Sequence, residues 1–92
     1  MVAKILLAED DAALRETLAE ALRAEGAEVI GVGNGLQAHE AWDAAAEDPP
    51  RLVILDALMP KMTGFDCAKL LREKSPDVPI IFLSGVYKSQ AQ

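Results

Sequence analysis

Four short runs along the chain are apolar at consecutive positions, at residues 5–8, 29–32, 52–55 and 80–83. A strand with one solvated face alternates apolar and polar residues, whereas a strand covered on both faces is apolar throughout. We therefore predict four strands of a parallel sheet, the type of sheet in which both faces are covered.

Amphipathic segments separate these runs and predict three helices. In each segment apolar residues recur every three or four positions, which places them on one stripe of a helix. The stripes begin at Leu14, Ala38 and Cys67. The single histidine, His39, lies on the second helical segment and is expected to face solvent, whereas Trp42 and Cys67 are expected to pack inside.

Polar residues with capping chemistry precede the helical segments. Asn34 is predicted to cap the second helix, and Thr63 the third, because a short polar side chain can accept a hydrogen bond from a free backbone N–H. Asp10 and Asp11 are both candidate caps for the first helix, and the sequence leaves that choice open.

The order β-α-β-α-β-α-β predicts an α/β fold with a doubly wound parallel sheet and right-handed crossovers. Such flavodoxin-like sheets have the strand order 2-1-3-4, followed by a fifth strand. A chain of 92 residues and 9.8 kDa has room for one core, so residues 1–92 are interpreted as one domain.

Charge and composition exclude several classes of protein. The net charge of −6 lacks the basic surface of a nucleic-acid binder, so direct nucleic-acid binding by this segment is not expected. No apolar run reaches the roughly 18–20 residues of a membrane span. The single cysteine excludes an internal disulfide framework. The first apolar run ends too early for a signal peptide, so a cytoplasmic location is expected.

Polar residues with useful chemistry stand where three of the predicted strands end. Glu9 and Asp10 follow the first strand, Asp56 ends the third, and Ser84 ends the fourth. The carboxyl ends of parallel strands share one edge of the sheet, where open α/β sheets bind ligands. We therefore predict a site at this edge.

An all-oxygen set of carboxylates favours a hard divalent cation, because the like charges repel each other without one. Mg²⁺ commonly takes one or two carboxylates, waters and a phosphate oxygen. A carboxylate can also attack phosphorus and form an acyl phosphate. The residues alone thus suggest a Mg²⁺-dependent site in which one aspartate becomes phosphorylated.

Three segments resemble response-regulator receiver domains of two-component signalling, in the CheY-like superfamily. They cover residues 4–15, 52–65 and 79–85. The most specific is the string Asp-x-x-Met-Pro-x-Met-x-Gly that begins at Asp56, whereas an acidic pair after a strand would be weak by itself.

The resemblance implies a role for each matching position. Asp56 is the expected phosphoacceptor, and Ser84 the hydroxyl that bonds the phosphoryl group and switches the domain. Glu9, Asp10, Asp56 and the backbone carbonyl of Leu58 are expected to hold Mg²⁺. The implied partner is a sensor histidine kinase or a phosphotransfer protein. Such a module accepts a phosphoryl group to change an output, and it is not a dedicated enzyme.

The sequence also departs from the family pattern. Glu9 stands where aspartate is commoner, and the chain reaches Gln92 before the family's fifth strand, its lysine and its last helix. We therefore expect a receiver that is incomplete at its C-terminus. The fourth strand would then be an apolar edge, and association of two copies through that edge is a further expectation.

Two other functions compete with phosphorylation-driven signalling. A receiver-like scaffold that binds a partner without phosphorylation fits the absent lysine, but Asp10, Asp56 and Ser84 are intact. A phosphatase of the haloacid dehalogenase type would need a second aspartate two residues after the nucleophile, where this chain has Leu58.

Overall fold

A computed structural model describes residues 2–59 and 61–83. The elements follow in the order β1 (Lys4–Ala8), α1 (Ala12–Ala24), β2 (Glu28–Val32), α2 (Gly35–Ala44), β3 (Leu52–Asp56), α3 (Gly64–Lys74) and β4 (Ile80–Leu83). The strands form one sheet in the order β2-β1-β3-β4, and every neighbouring pair is parallel. The predicted α/β fold and strand order are therefore confirmed.

Helices cover both faces of the sheet. On one face, α2 and α3 pack over a cluster that includes Leu6, Leu55 and Leu71, all fully buried. On the other face, α1 packs over a smaller cluster around Leu7 and Val29. The two-sided cover explains why the strands are apolar at consecutive positions, since successive side chains point to opposite faces.

The N-termini of the helices confirm the predicted caps of α2 and α3 and decide which aspartate caps α1. Asn34 accepts from the backbone N–H of Gln37 at 2.9 Å, and Thr63 accepts from that of Asp66 at 3.1 Å. Asp11, and not Asp10, caps α1. Its side chain accepts from the backbone N–H of Leu14 at 3.0 Å, so that Asp10 projects from the loop before the helix.

Within the described residues, β4 pairs with β3 and has no partner on its outer side. Ile81 is 50% exposed and Phe82 41%, in line with the expectation that the fourth strand is an apolar edge. The ring of Phe82 packs on that of Phe65, with centroids 4.9 Å apart. The predicted association through this edge stays a prediction.

Candidate functional site

The sheet brings the predicted acidic residues to one place. The strands β1 and β3 are neighbours in register, with Ala8 opposite Leu55, so the residues that follow Ala8 lie beside Asp56. One carboxylate oxygen each from Glu9, Asp10 and Asp56 lies within 4.8 Å of the others. Glu9 and Asp56 are fully buried, and Asp10 is exposed.

Glu9 is held at its backbone and at its side chain. Its N–H donates to the carbonyl of Val32 at 3.0 Å, which ties the end of β1 to the end of β2. Its Oε2 accepts from the backbone N–H of Asp11 at 3.0 Å, and its carbonyl accepts from Nη1 of Arg15 at 2.8 Å. The longer glutamate side chain thus folds back towards the start of α1.

Asp56 is held by the loop that follows it. Its Oδ1 accepts from the backbone N–H of Leu58 at 3.1 Å. The next peptide bonds across to β4, since the N–H of Ala57 donates to the carbonyl of Leu83 at 3.1 Å. The carbonyl of Ala57 accepts from the N–H of Gly64 at 3.1 Å, so the loop returns to the end of β3 where α3 begins.

Backbone geometry in this loop depends on particular residues. Lys61 has a φ of 70°, a left-handed conformation that is uncommon for a residue with a side chain. A Cβ at Gly64 would lie 2.2 Å from the carbonyl oxygen of Asp56 and 2.9 Å from its carbonyl carbon. Glycine at position 64 therefore allows α3 to start directly against the residue predicted to be the phosphoacceptor.

The donor set fits a hard divalent cation. Three carboxylates offer oxygen ligands at close range, two of them in the low-dielectric interior where repulsion between like charges is strongest. A cation at this point would offset that repulsion, and oxygen ligands match Mg²⁺. The residues that would hold it are Glu9, Asp10 and Asp56.

The structure brings Glu9, Asp10 and Asp56 together, while the roles predicted for them, for Leu58 and for Ser84 stay predictions. Ser84 lies outside the described residues. Leu58 is 64% exposed, and its backbone N–H donates to Oδ1 of Asp56.

His39 is buried, contrary to the expectation that it faces solvent. It is 8% exposed and lies on α2, where Gly35, Ala38 and Trp42 are also buried. These positions form an i, i+3, i+4, i+7 stripe, so a sequence signal for burial was present. The prediction was wrong because the stripe was defined by apolar residues alone, beginning at Ala38, and so left out His39.

A cluster of charged and polar groups surrounds His39 between α2 and α3. Nζ of Lys74 lies 3.2 Å from Nδ1 of His39 and 2.8 Å from Oδ1 of Asp43. Burial lowers the pKa of His39, and the charge of Lys74 lowers it further, while the backbone of Cys67 and the Asp43 carboxylate act in the opposite direction. His39 therefore favours the neutral form.

The predicted packing roles of Trp42 and Cys67 are confirmed. Trp42 belongs to the cluster under α2 and α3, and Cys67 is fully buried in the same cluster. Burial raises the pKa of the Cys67 thiol to about 11, so the reactive thiolate is scarce at neutral pH.

Comparison with known proteins identifies a family. The family described as "Response regulator receiver domain" matches residues 5–92. The chain is 39% identical over 82 residues to the response regulator receiver protein CpdR of Brucella abortus, covering 89% of this chain and 66% of CpdR. It is 42% identical to the DNA-binding response regulator MtrA of Mycolicibacterium paratuberculosis, covering 89% of this chain and 35% of MtrA.

Solved structures agree with the sequence comparison. The chain superposes with a TM-score of 0.81 and 34% identity on the non-phosphorylated HemR receiver domain of Leptospira biflexa, covering 89% of this chain and 64% of that one. It also matches a chain in the complex of the histidine kinase ThkA with the response regulator protein TrrA, with a TM-score of 0.82 and 34% identity. That match covers 91% of this chain and 70% of the other.

Among the described residues, no helix is long and apolar enough to cross a membrane. The chain spans about two thirds of CpdR and about one third of MtrA.

Proposed function

The chain belongs to the response regulator receiver domain family, and we propose that it is a phosphoacceptor module in which Asp56 receives a phosphoryl group with the help of Mg²⁺. The observation that carries the proposal is the meeting of Glu9, Asp10 and Asp56 at the carboxyl edge of the sheet. Receiver domains of this family act in two-component signalling and are not dedicated enzymes, so the expected result of phosphorylation is a change of state.

The chemistry assigns each residue a part. An oxygen of Asp56 attacks the phosphorus of the donor, and the bond between phosphorus and the donor's leaving atom breaks with its electrons on the leaving group. Bound Mg²⁺ would supply positive charge against the oxygens of the transferred group. The N–H of Leu58 restrains the Asp56 carboxylate at 3.1 Å, and Glu9 with Asp10 supplies the remaining carboxylates.

Burial of Asp56 has two consequences for this chemistry. The fully buried carboxylate is shielded from bulk water in the unphosphorylated chain. A donor can reach it only after neighbouring groups move. The loop between β3 and α3 is the segment that contacts Asp56 directly, through Leu58 and the start of α3 at Gly64.

The proposed donor is a sensor histidine kinase or a phosphotransfer protein. Support comes from the similarity to a structure in which the histidine kinase ThkA is in complex with the response regulator TrrA. MtrA is described as a DNA-binding response regulator, and this chain spans about one third of it. We further propose that residues 1–92 belong to one receiver domain, and that Ser84 is its switch hydroxyl.

Labelling by a small phosphodonor tests the proposal. The full chain is incubated with acetyl phosphate and Mg²⁺ and its intact mass is measured, with a gain of one phosphoryl group as the expected result. Asp56→Asn should remove the gain, as should chelation of Mg²⁺. Asp66→Asn is the matched control, because Asp66 is an exposed carboxylate in the first turn of α3 and should still allow labelling.

The same experiment separates signalling from the competing scaffold function. A scaffold that binds its partner without phosphorylation would take up no phosphoryl group in any variant. Equal labelling of the parent and Asp56→Asn would instead show that the acceptor is another residue.

A further inference from the structure

Arg15 reaches from α1 back to the acidic loop that precedes this helix. It is the fourth residue of α1, near the positive end of the helix dipole, where a cation is disfavoured. Its Nη1 donates to the carbonyl oxygen of Glu9 at 2.8 Å, six residues earlier in the chain. Arg15 therefore occupies a position that the helix dipole disfavours, which points to a role for its contact with Glu9.

The path of the Arg15 side chain follows two glycines. A Cβ at Gly31 would lie 3.5 Å from Cδ of Arg15 and 3.6 Å from its Cγ, and a Cβ at Gly33 would lie 3.4 Å from Nη1. These are ordinary contact distances, so the side chain lies directly on the backbone at the end of β2. Larger side chains at either position would compete with Arg15 for this space.

The bonded carbonyl belongs to the peptide group that joins Glu9 to Asp10. The preceding peptide is also held, because the N–H of Glu9 donates to Val32 at 3.0 Å. Together the two bonds set the backbone torsion angles of Glu9 and the direction in which Asp10 leaves the loop. Asp10 is the exposed member of the acidic cluster, and its backbone leaves the loop at the peptide group that Arg15 contacts.

We propose that Arg15 is a positioning residue of the acidic site: by orienting the Glu9–Asp10 peptide it places both carboxylates for a divalent cation. This inference rests on the proposed function, since it concerns the same site. A positioning role and a simple effect of charge predict opposite changes in Mg²⁺ affinity. Loss of a nearby positive charge should strengthen cation binding, whereas loss of a positioning bond should weaken it.

Arg23 provides a matched control on the same helix. Its Nη2 donates to the carbonyl of Val29 at 3.4 Å, so it also joins α1 to the backbone of β2. Val29 lies at the second residue of β2, towards the opposite end of the strand from Val32 and the acidic loop. Arg15→Met and Arg23→Met each remove one charge and one bond to a backbone carbonyl, and Arg23→Met also removes an exposed ion pair with Glu16. Only Arg15→Met affects the peptide of Glu9.

The test is a Mg²⁺ titration of the full chain followed by amide NMR. Arg15→Met should raise the Mg²⁺ dissociation constant about tenfold, the lower end of the effect of removing a partner that orients a metal ligand. Arg23→Met should stay within about twofold of the parent. Without Mg²⁺, the Asp10 amide resonance should shift in Arg15→Met and not in Arg23→Met, because the peptide of Asp10 loses its donor.

Each outcome decides between the interpretations. Equal or tighter Mg²⁺ binding by Arg15→Met overturns the positioning role while leaving the proposed site intact. A parent that shows no Mg²⁺-dependent shifts at residues 9–11 and 56–58 contradicts the proposed metal site itself. If Arg15→Met does not fold, Arg15→Lys is compared with Arg23→Lys, since the lysine nitrogen lies one bond short of Nη1. Equal affinities in that pair also overturn the inference.

Discussion

The backbone of Gly64 lies against the backbone of Asp56, so close that a Cβ on residue 64 would stand 2.2 Å from the Asp56 carbonyl oxygen. Such a separation is far inside any van der Waals contact, and the obstacle is backbone, which cannot rotate away as a side chain can. The start of α3 and the end of β3 therefore meet only because residue 64 is glycine.

Gly64→Ala should lower both stability and phosphorylation. We expect the free energy of unfolding to fall by about 1–3 kcal/mol, the usual cost of overpacking, and the rate of labelling by acetyl phosphate to fall severalfold as Asp56 shifts. Urea unfolding and intact mass measure the two effects. Gly31→Ala is the control, because its Cβ would meet Arg15 at an ordinary 3.5 Å. Equal stability of the two variants would contradict the close approach at Gly64.

Asp10 and Asp11 are adjacent carboxylates with different expected roles. Asp11→Ala removes the cap of α1 and should cost about 1 kcal/mol of stability with little change in Mg²⁺ affinity. Asp10→Ala should abolish most of the rise in melting temperature that saturating Mg²⁺ produces in the parent by binding the folded state. Thermal melts with and without Mg²⁺ measure both. A full Mg²⁺-dependent rise in Asp10→Ala would place the ion elsewhere.

Neutral His39 should make stability dependent on pH. Its pKa is lowered from the usual 6.5 in the folded protein, so the unfolded chain takes up the proton first. The contribution of His39 is thus present above pH 6.5 and is lost as the pH falls below that value, at up to about 1.4 kcal/mol per pH unit. Urea unfolding at several pH values should show a smaller loss between pH 7 and 5 in His39→Gln.

Lys74→Met provides a second check on His39. Lys74 donates to Nδ1 of His39, which must be unprotonated to accept, and its charge lowers the pKa of the ring. Removing the ammonium should raise that pKa and reduce the loss of stability on acidification. A pH dependence identical in the parent and both variants would show that other groups control it.

The outer edge of β4 should support self-association. Ile81 is half-exposed on a strand that has no partner on one side among the described residues, and such edges pair with other chains. Ile81→Lys should reduce association measured by sedimentation at several concentrations. Leu36→Lys is the control, because Leu36 is equally exposed, at 49%, but lies on α2. If Leu36→Lys reduced association as much as Ile81→Lys, the result would argue against the outer edge of β4 as the interface.

Elements and their order could be predicted from the sequence because they depend on local patterns. Consecutive apolar residues marked all four strands, and alternation with helical stripes made the sheet parallel, as observed. Parallel strands in turn direct their carboxyl ends to one edge, so the meeting of Asp10 and Asp56 followed from topology alone. The roles of these residues came from the resemblance of their surrounding motifs to a family.

Other features depend on the exact path of a loop or on packing between elements, and they appeared only in three dimensions. The choice of Asp11 over Asp10 as the cap turned on the exact path of the loop into α1. His39 shares a helical stripe with buried residues of α2, but the element that covers it is α3, which packs across α2. The Arg15 side chain reaches Glu9 along the backbone at Gly31 and Gly33, and the need for glycine at position 64 arises where α3 meets β3. Packing between elements, and not propensity within them, determines such contacts.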